Sequence, residues 1–289
     1  MPTRWNQISF LPVERMSASN TNIEIDPLDD SNRIIQGLWI GSELSIMEQM
    51  SIVSFLQNGH EYHLYSYNEI ANVPAGVGAR NANEILPASA IFQYKDRPSY
   101  AGFANSFRYK LLLERGGWWA DSDLICLRSF DFRDEYVFSS EFNVGHQLVN
   151  CGAIKVPKGS EVMADAWTIC QAKEPDKLVW GETGPQLMSE VVKKHGLEKY
   201  EKPYYIFCPI SEWHKILQPD ELLDDRAYAI HLWNEEWRRA GKNKNGRYNR
   251  NCIYERLKRT YLQEAGKAGL FQTGTKVFDM IRTWLRKRT

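Results

Sequence analysis

The chain has 289 residues, of which 43% are hydrophobic and 12% aromatic, enough for a large packed core. Its 36 basic residues equal its 36 acidic residues, so no overall charge favours nucleic acid or an acidic surface as a partner. The five cysteines are scattered without Cys-x-x-Cys spacing, which argues against a disulfide framework and a structural zinc site and favours a reducing cytoplasm.

The first part of the chain predicts alternating strands and helices. Residues 1–31 are polar and predict a loosely held lead-in. The run RIIQGLWIG predicts a buried strand ended by glycine, and EYHLYSY predicts a second strand. Between them, SELSIMEQMSIVSFLQNG predicts a helix with Ser42 as its N-cap and Asn58 and Gly59 as its stop. This order is typical of an α/β fold with a mostly parallel central sheet that binds ligands at the carboxyl ends of its strands.

The run PSYAGFANSFRYKLLLERGG predicts the next helix, capped by Ser99 and ended by Gly116. At about 100° per residue, its apolar side chains form one stripe, whereas Asn105 and Arg108 lie on a neighbouring stripe that can face a cleft. Farther along, three runs predict strands and two predict helices. The strands are YVFSSEF, NCGAIKVP and AYAIHLW, and the helices are SEVMADAWTICQAK and GPQLMSEVVKKHG.

Two aspartates one residue apart, Asp121 and Asp123, follow the glycine pair that ends this helix. In extended backbone their side chains point the same way about 6.6 Å apart, so both can face one site. Cations such as Mg²⁺ keep waters and substrate phosphates as ligands, so few carboxylates suffice to hold a metal that bridges a diphosphate. The spacing alone equally allows two solvated turn residues.

The run FANSFRYKLLLERGGWWADSD resembles the donor-binding segment of the DXD-containing sugar transferases. That group includes capsular-polysaccharide synthesis proteins, α-1,6-mannosyltransferases, α-1,4-galactosyltransferases and, more remotely, the large glucosylating toxins. The resemblance extends to IIQGLWIG, GETGP and AIHLWNEEW, and so covers residues 33–239. It implies a GT-A type, Rossmann-like fold and a retaining transferase that uses a UDP- or GDP-sugar and a divalent cation, Mn²⁺ or Mg²⁺.

The resemblance also implies roles for individual residues. Trp39 is expected to stack on the nucleotide base, Arg108 to contact the donor, and Asp121 to bind ribose and sugar hydroxyls. Asp123 is expected to ligate the metal. Asn105 stands where the family usually carries an acid, and its amide can hydrogen-bond a sugar but brings no charge. That difference bears on which donor sugar is used.

Four later residues complete the predicted site. The resemblance implies that His231 in AIHLW completes the metal site, and neutral imidazole suits Mn²⁺-like ions. A hydrogen-bonded core histidine is the alternative. Asn150 and Glu182 fall where the family places groups near the transferred sugar. Glu182 can act as a covalent nucleophile in a retaining reaction, although retention without one is also open. Trp237 is a candidate stacking residue, with core burial as the alternative.

The acid-free loop from Arg238 to Asn251 separates the core from a C-terminal helical tail. We therefore predict a lead-in at 1–31, a GT-A domain at 32–240, and the basic loop with the tail at 241–289. In the tail, KVFDMIRTWLRKRT places its apolar side chains along one helical stripe and most of its basic ones elsewhere. Such a helix can contact an anionic membrane or dock on the body of the protein.

The resemblance implies a hexosyltransferase. No run reaches the roughly 20 apolar residues of a membrane span, so we expect a cytoplasmic protein, with peripheral contact at the inner face of the membrane as an alternative. It would transfer a hexose from a nucleoside diphosphate sugar to a capsule or lipopolysaccharide glycan or glycolipid. A metal-dependent nucleotide-sugar hydrolase and a non-catalytic sugar-binding relative are the alternatives. The hydrolase, or a nucleotidyltransferase in its place, is less favoured because no G-x-x-x-x-G-K-[ST] loop or other glycine-rich phosphate cradle occurs.

Overall fold

The computed structural model describes residues 30–143 and 145–263. Nearly all of the predicted lead-in and the basic helical run near the C-terminus lie outside these residues, so the membrane contact expected of that run stays a prediction. Within the described ranges, none of the helices has both the length and the apolar character needed to cross a bilayer.

The helices and strands follow the predicted order. The strands are β1 (Ile34–Trp39), β2 (Glu61–Ser66), β3 (Gly78–Asn81), β4 (Gly117–Ala120), β5 (Leu124–Cys126), β6 (Val137–Asn143), β7 (His146–Val156) and β8 (Ala229–His231). The helices are α1 (Asp30–Arg33), α2 (Ile46–Gln57), α3 (Ala101–Arg115), α4 (Glu161–Gln171), α5 (Leu187–Lys194), α6 (Asn234–Arg239) and α7 (Ile253–Lys258).

Among the described residues, six strands form the central sheet in the order β3-β2-β1-β4-β7-β6. The first four strands of that order run parallel to one another, and β7 and β6 are antiparallel additions. This arrangement confirms the predicted α/β fold with a mostly parallel sheet. β1 has a parallel neighbour on each side and its four middle residues are buried, as is usual for a parallel sheet covered on both faces. Its one polar side chain, Gln36, donates hydrogen bonds to the Gly116 and Trp118 carbonyls.

Helix α2 begins at a different cap from the one predicted. Ser45, not Ser42, is the N-cap, and the Glu48 side chain accepts from the Ser45 amide to complete a capping box. The Ser-x-x-Glu spacing that produces this box begins at Ser45, so the signal was present in the sequence. The predicted stop is confirmed, with Asn58 as C-cap and Gly59 at φ 85°.

Helix α3 begins at Ala101 and has Tyr100 as its N-cap, one residue after the predicted Ser99. It ends as predicted at Gly116, whose φ of 68° is left-handed backbone that favours glycine. Since β4 begins at the next residue, α3 runs back along the sheet and brings its N-terminal half to the carboxyl end of β4. That end of the sheet is where parallel strands present ligands.

A second, two-stranded sheet pairs β5 with β8 in antiparallel register, which aligns Leu124 with His231. Helix α2 packs against the chain that follows α6. The apolar cluster there joins Met47, Met50 and Val53 of α2 to residues near the end of the described chain, which include Ile253, Tyr254, Leu257 and Tyr261. The predicted boundary at 240/241 therefore falls in a loop whose next helix, α7, packs in the core beside α2.

Candidate active site

A cavity of about 1130 Å³ opens at the carboxyl ends of β1 and β4. Each element brings side chains to its wall. Trp39 comes from the end of β1, Asn105 and Arg108 from α3, and Asp121 and Asp123 from the turn between β4 and β5. Asn150 of β7 and His231 of β8 also line it. The stripe of α3 that was predicted to face a cleft does so.

Asp121, Asp123 and His231 each offer a ligand atom within 4.8 Å of the others. The pairing of β5 with β8 creates this cluster, because it sets His231 beside the start of β5 and lets the Leu232 amide donate to the Asp123 carbonyl at 3.0 Å. The His231 Nε2 lies 3.3 Å from Asp123 Oδ1. Two carboxylates and one imidazole are a donor set that suits Mn²⁺ or Mg²⁺, so the residues fit a divalent cation.

Charge pairing controls the protonation of this cluster. Burial alone would raise the pKa of Asp123, but His231 and the Asn234 amide, which donates to Oδ2 at 2.7 Å, lower it to about 2. Burial in turn disfavours the charged form of His231, yet the carboxylate of Asp123 outweighs it and raises the pKa of the imidazole. Among the described residues, His231 Nδ1 has no hydrogen-bond partner. The Nε2 atom, 3.3 Å from Asp123 Oδ1, is the imidazole nitrogen that could bind a cation together with the aspartates.

Arg108 fixes the first aspartate. Its Nη2 donates to Asp121 Oδ1 at 2.6 Å, and the Trp119 Nε1 donates to the same oxygen at 2.8 Å. Arg108 is buried, which by itself lowers its pKa, but Asp121 outweighs this effect and raises the pKa, so the guanidinium stays charged. Asn105 Oδ1 accepts from Arg108 Nη1 at 2.5 Å. Asn105 thus makes the contact to Arg108 that an acid would make there, without adding a negative charge.

Residues 45–142 match the model of a protein family described as "Glycosyltransferase sugar-binding region containing DXD motif". By this match, the segment is similar to a glycosyltransferase sugar-binding region. The match confirms both the resemblance predicted from the sequence and the class of enzyme, and it covers about a third of the chain. The sugar-binding region contains α2, α3 and both aspartates, whereas His231 lies outside it.

Solved glycosyltransferases show a distant structural likeness. PaToxG glycosyltransferase is 16% identical with a TM-score of 0.44, over 57% of this chain and 69% of that one. The apo form of the glycosyltransferase GlyE from Streptococcus pneumoniae TIGR4 is 13% identical with a TM-score of 0.43, over 85% of this chain and 66% of that one. No curated protein matches the sequence significantly. At these TM-scores the neighbours carry no weight for function, which rests on the sugar-binding region.

Trp39 is the last residue of β1 and comes six residues before the matched region begins. Its Nε1 donates to the Glu43 carbonyl at 3.0 Å, and the Lys244 Nζ lies 5.5 Å from the centre of its ring. Trp39 is part of the cavity wall, and Lys244 is not. Lys244 is itself held by an ion pair with the fully buried Glu48. The hydrogen bond to Glu43 and the contact with Lys244 thus fix an indole that lines the cavity.

Asn150 and Glu141 form a pair across the β6–β7 hairpin. Asn150 Nδ2 donates to the Glu141 carboxylate, and Asn150 Oδ1 accepts from the Gly152 amide at 2.6 Å. Glu141 lines the cavity beside His231 and helps to raise the pKa of His231. Sequence reasoning missed Glu141 because it lies within a predicted strand and belongs to no motif. Only the alternation of side chains along YVFSSEF could have pointed to it.

Two predicted site residues do not reach the cavity. Glu182 pairs with Lys173 and accepts from the Val179 amide at 3.1 Å, so its carboxylate lies outside the cavity wall. Trp237 has no exposed surface and packs against Tyr254, with ring centres 4.6 Å apart. The stacking role predicted for Trp237 is wrong, and its core alternative is right. The physical reason is that α6 turns this position toward α7.

Trp233 takes the place in the cavity that was considered for Trp237. Its backbone is left-handed at φ 59°, and its ring meets that of His231 edge-on at 4.3 Å. The indole Nε1 donates to the Ile210 carbonyl at 2.9 Å, which fixes the ring. Trp233 therefore holds His231 in place from one side while lining the cavity itself.

Proposed function

We propose that this chain is a metal-dependent glycosyltransferase that transfers a hexose, with retention, from a nucleoside diphosphate sugar to an acceptor hydroxyl. The observation that carries the proposal is the convergence, in one cavity, of Asp121 and Asp123 from the matched region with His231 from outside it. Asp123 and His231 would hold Mn²⁺ or Mg²⁺. The expected acceptor is a capsule or lipopolysaccharide glycan or glycolipid.

The residues of the cavity wall support one arrangement of the base, diphosphate and sugar of the donor along it. Trp39 would stack on the base of a UDP- or GDP-sugar at the end of β1. Asp123 and His231 would face the diphosphate, and the sugar would lie against Arg108, Asn105 and Asn150. In this arrangement the buried charge of Arg108, fixed by Asp121, lies beside the donor.

In the reaction the bond between the sugar C1 and the β-phosphate oxygen breaks, and its electron pair leaves with the nucleoside diphosphate. A bond forms between C1 and the acceptor oxygen, and the acceptor proton passes to the departing phosphate or to water. When bound, a divalent cation supplies positive charge beside the diphosphate. Arg108 and Asn105 would orient the donor sugar, and Trp233 beside His231 would help to exclude water from the site.

The place of Glu182 bears on how the configuration is retained. A covalent nucleophile must reach the face of the sugar opposite the leaving group. Glu182 lies outside the cavity wall and is already paired with Lys173. This supports retention without Glu182 as a nucleophile.

A thermal-shift screen of UDP-, GDP- and CMP-sugars with and without Mn²⁺ tests the proposal. A donor at 100 times its Kd should stabilise the protein by about 2.7 kcal/mol, and only when Mn²⁺ is present. Product analysis of the positive donor then separates the three functions. A glycoside indicates transfer, free sugar indicates hydrolysis, and donor binding without turnover indicates a sugar-binding relative.

A further inference from the structure

The cavity is larger than the roughly 300–1,000 Å³ that is usual for a pocket holding one small ligand. The donor residues described above account for one part of its wall. Another part is lined by aromatic side chains from two loops that flank the start of α3. We call Tyr94, Tyr100 and Trp180 the aromatic shelf.

The aromatic shelf lies beyond the expected sugar end of the donor. Tyr100 is the N-cap of α3, and Arg108, which holds Asp121, comes eight residues later. At 1.5 Å per residue, the two positions are about 12 Å apart along the helix axis. Asn105 lies between them on the cavity wall. A ligand on the shelf would therefore sit next to the donor sugar, on the side away from Asp121.

The shelf is held rigidly before any ligand binds. The Trp180 ring lies 5.1 Å from that of Tyr94, and the Arg97 guanidinium carbon lies 4.8 Å above the Trp180 ring. The segment carrying Trp180 is tied to α3, because the Tyr109 hydroxyl donates to the Thr183 carbonyl at 2.8 Å. A preformed aromatic wall loses little conformational freedom on binding, which favours affinity.

Two arginines near the shelf are each paired with an acid. Arg97 bonds to Asp96, and Arg238 across the cavity mouth bonds to Glu235. Such a rim does not select for a ligand of either charge. Tyr100, at 38% exposure, is among the large apolar side chains that remain open to solvent. Flat rings beside paired polar groups suit a neutral ligand with an apolar face and many hydroxyls.

We propose that the aromatic shelf is the acceptor subsite, where Trp180 and Tyr100 stack on a pyranose ring of an acceptor glycan. The inference rests on the proposed function, because an acceptor bound at the shelf can react only with a donor bound beside it. It assigns the acceptor to neutral saccharides and makes Trp180 a specificity-determining residue.

Saturation-transfer NMR on the full chain with UDP and Mg²⁺, which is diamagnetic, tests the subsite. The probes are lactose, maltose, cellobiose, and the methyl glycosides of glucose, galactose, mannose and N-acetylglucosamine. We expect at least one probe to bind, and Trp180→Ala to weaken that binding roughly tenfold, the scale of one lost aromatic contact. Trp167→Ala is the matched control, since Trp167 is a half-buried tryptophan of α4 outside the cavity wall.

The outcomes distinguish this inference from the proposed function. Unchanged saccharide affinity in Trp180→Ala, or no saccharide binding by the natural chain, would overturn the subsite even if UDP and Mg²⁺ bind normally. The second result would leave a protein hydroxyl as the acceptor. Absence of UDP binding with Mg²⁺ would instead contradict the donor site. If Trp180→Ala does not fold, Tyr100→Ala carries the same expectation, because Tyr100 is exposed.

Discussion

At the scale of single residues, Asp123 uses both of its carboxylate oxygens. Oδ1 faces His231 Nε2 at 3.3 Å, and Oδ2 accepts the Asn234 amide at 2.7 Å. Both contacts favour the ionised carboxylate, which is the form that ligates a cation. The low pKa of Asp123 keeps that form over the whole physiological range.

Replacing Asp123 by Asn should abolish metal-dependent turnover while the fold persists. The amide oxygen can still accept from Asn234, but the negative charge that attracts the cation is gone. We expect a loss of more than about 100-fold in Mn²⁺-dependent donor turnover. Asp165→Asn is the control, because Asp165 pairs with Lys194 and His195 away from the cavity. Near-normal turnover in Asp123→Asn would show that the aspartate pair has only a structural role.

Asn105→Asp should change the preference among donor sugars more than the maximal rate. The new carboxylate would meet Arg108 Nη1, where the Asn105 oxygen now accepts at 2.5 Å, so the donor-facing wall would gain a negative charge without losing that contact. The measurement is kcat/KM for a series of nucleotide sugars. Asn105→Ala serves as control, since it removes the amide contact to Thr183 as Asn105→Asp does, but adds no charge. The same donor ranking in Asn105 and Asn105→Asp proteins would refute the prediction.

At the scale of elements, the start of α2 is tied to the loop after α6. Glu48 is fully buried, and its carboxylate accepts the Ser45 amide at 2.7 Å and pairs with Lys244. The Asn245 side chain caps the Ile46 amide at 2.8 Å in the same place. The basic loop is therefore anchored to the body of the protein beside Trp39.

Lys244→Met should leave the buried Glu48 carboxylate without its cation and lower the free energy of unfolding by about 3 kcal/mol. Urea denaturation measures this loss. The double variant Glu48→Gln with Lys244→Met should recover most of it, because no buried charge remains. In both variants the donor KM should be higher than in the natural protein, since Lys244 no longer lies against the Trp39 ring. Equal destabilisation in the single and double variants would contradict this pairing.

His60 couples the end of α2 to the loop after β5. Its Nε2 accepts from the Phe130 amide at 3.0 Å, so its Nδ1 donates to the Asn32 carbonyl at 2.9 Å. This arrangement requires the neutral ring. Burial, the largest effect, lowers the pKa of His60 below its ordinary value of 6.5, although hydrogen bonds to the backbone of Asn32 and Arg33 oppose this change.

The free energy of unfolding should therefore fall as the pH drops below about 6.5, because the unfolded chain then binds a proton that the folded chain does not. The loss ends once the pH is below the folded pKa. Urea denaturation between pH 5 and 7.5 measures it. His60→Gln keeps a side-chain hydrogen bond without titrating, and its stability should vary less with pH. An identical pH profile in both proteins would assign the dependence to other groups.

At the scale of the whole molecule, the chain beyond residue 240 contributes to the core. Ile253 and Tyr254 have no exposed surface, and both belong to the cluster that contains Met47 and Met50 of α2. The anchored loop and α7 thus support the helix that follows Trp39. The domain boundary at 240/241 stays a prediction. Residues on the two sides of this boundary pack in the same apolar cluster.

Ile253→Ala should lower the free energy of unfolding by about 2–4 kcal/mol, because it opens a cavity in a close-packed cluster. Leu222→Ala is the matched control, since Leu222 is 75% exposed and its truncation should change stability by less than about 0.5 kcal/mol. Chemical denaturation followed by tryptophan fluorescence measures both. If the two variants lose the same small amount, α7 does not contribute to the core as its burial indicates.

The sequence by itself determined the features that depend on neighbouring residues. Periodicity identified β1, α2 and α3, and glycine at φ 68° ended α3 where predicted. The angular spacing of Asn105 and Arg108 placed both on the cavity wall, because a helix relates such positions over short separations. The family match confirmed the class of enzyme that the aspartate pair and its flanking residues indicated.

Only the tertiary structure decided which distant residues share the cavity. The pairing of β5 with β8 set His231 beside Asp123, and the β6–β7 hairpin brought in Glu141 without any motif. Glu182 and Trp237 carried the right chemistry in the right order along the chain, yet their elements turn both side chains away from the cavity. The physical reason is that a side chain far along the sequence is aimed by the packing of its whole element, which local patterns do not specify.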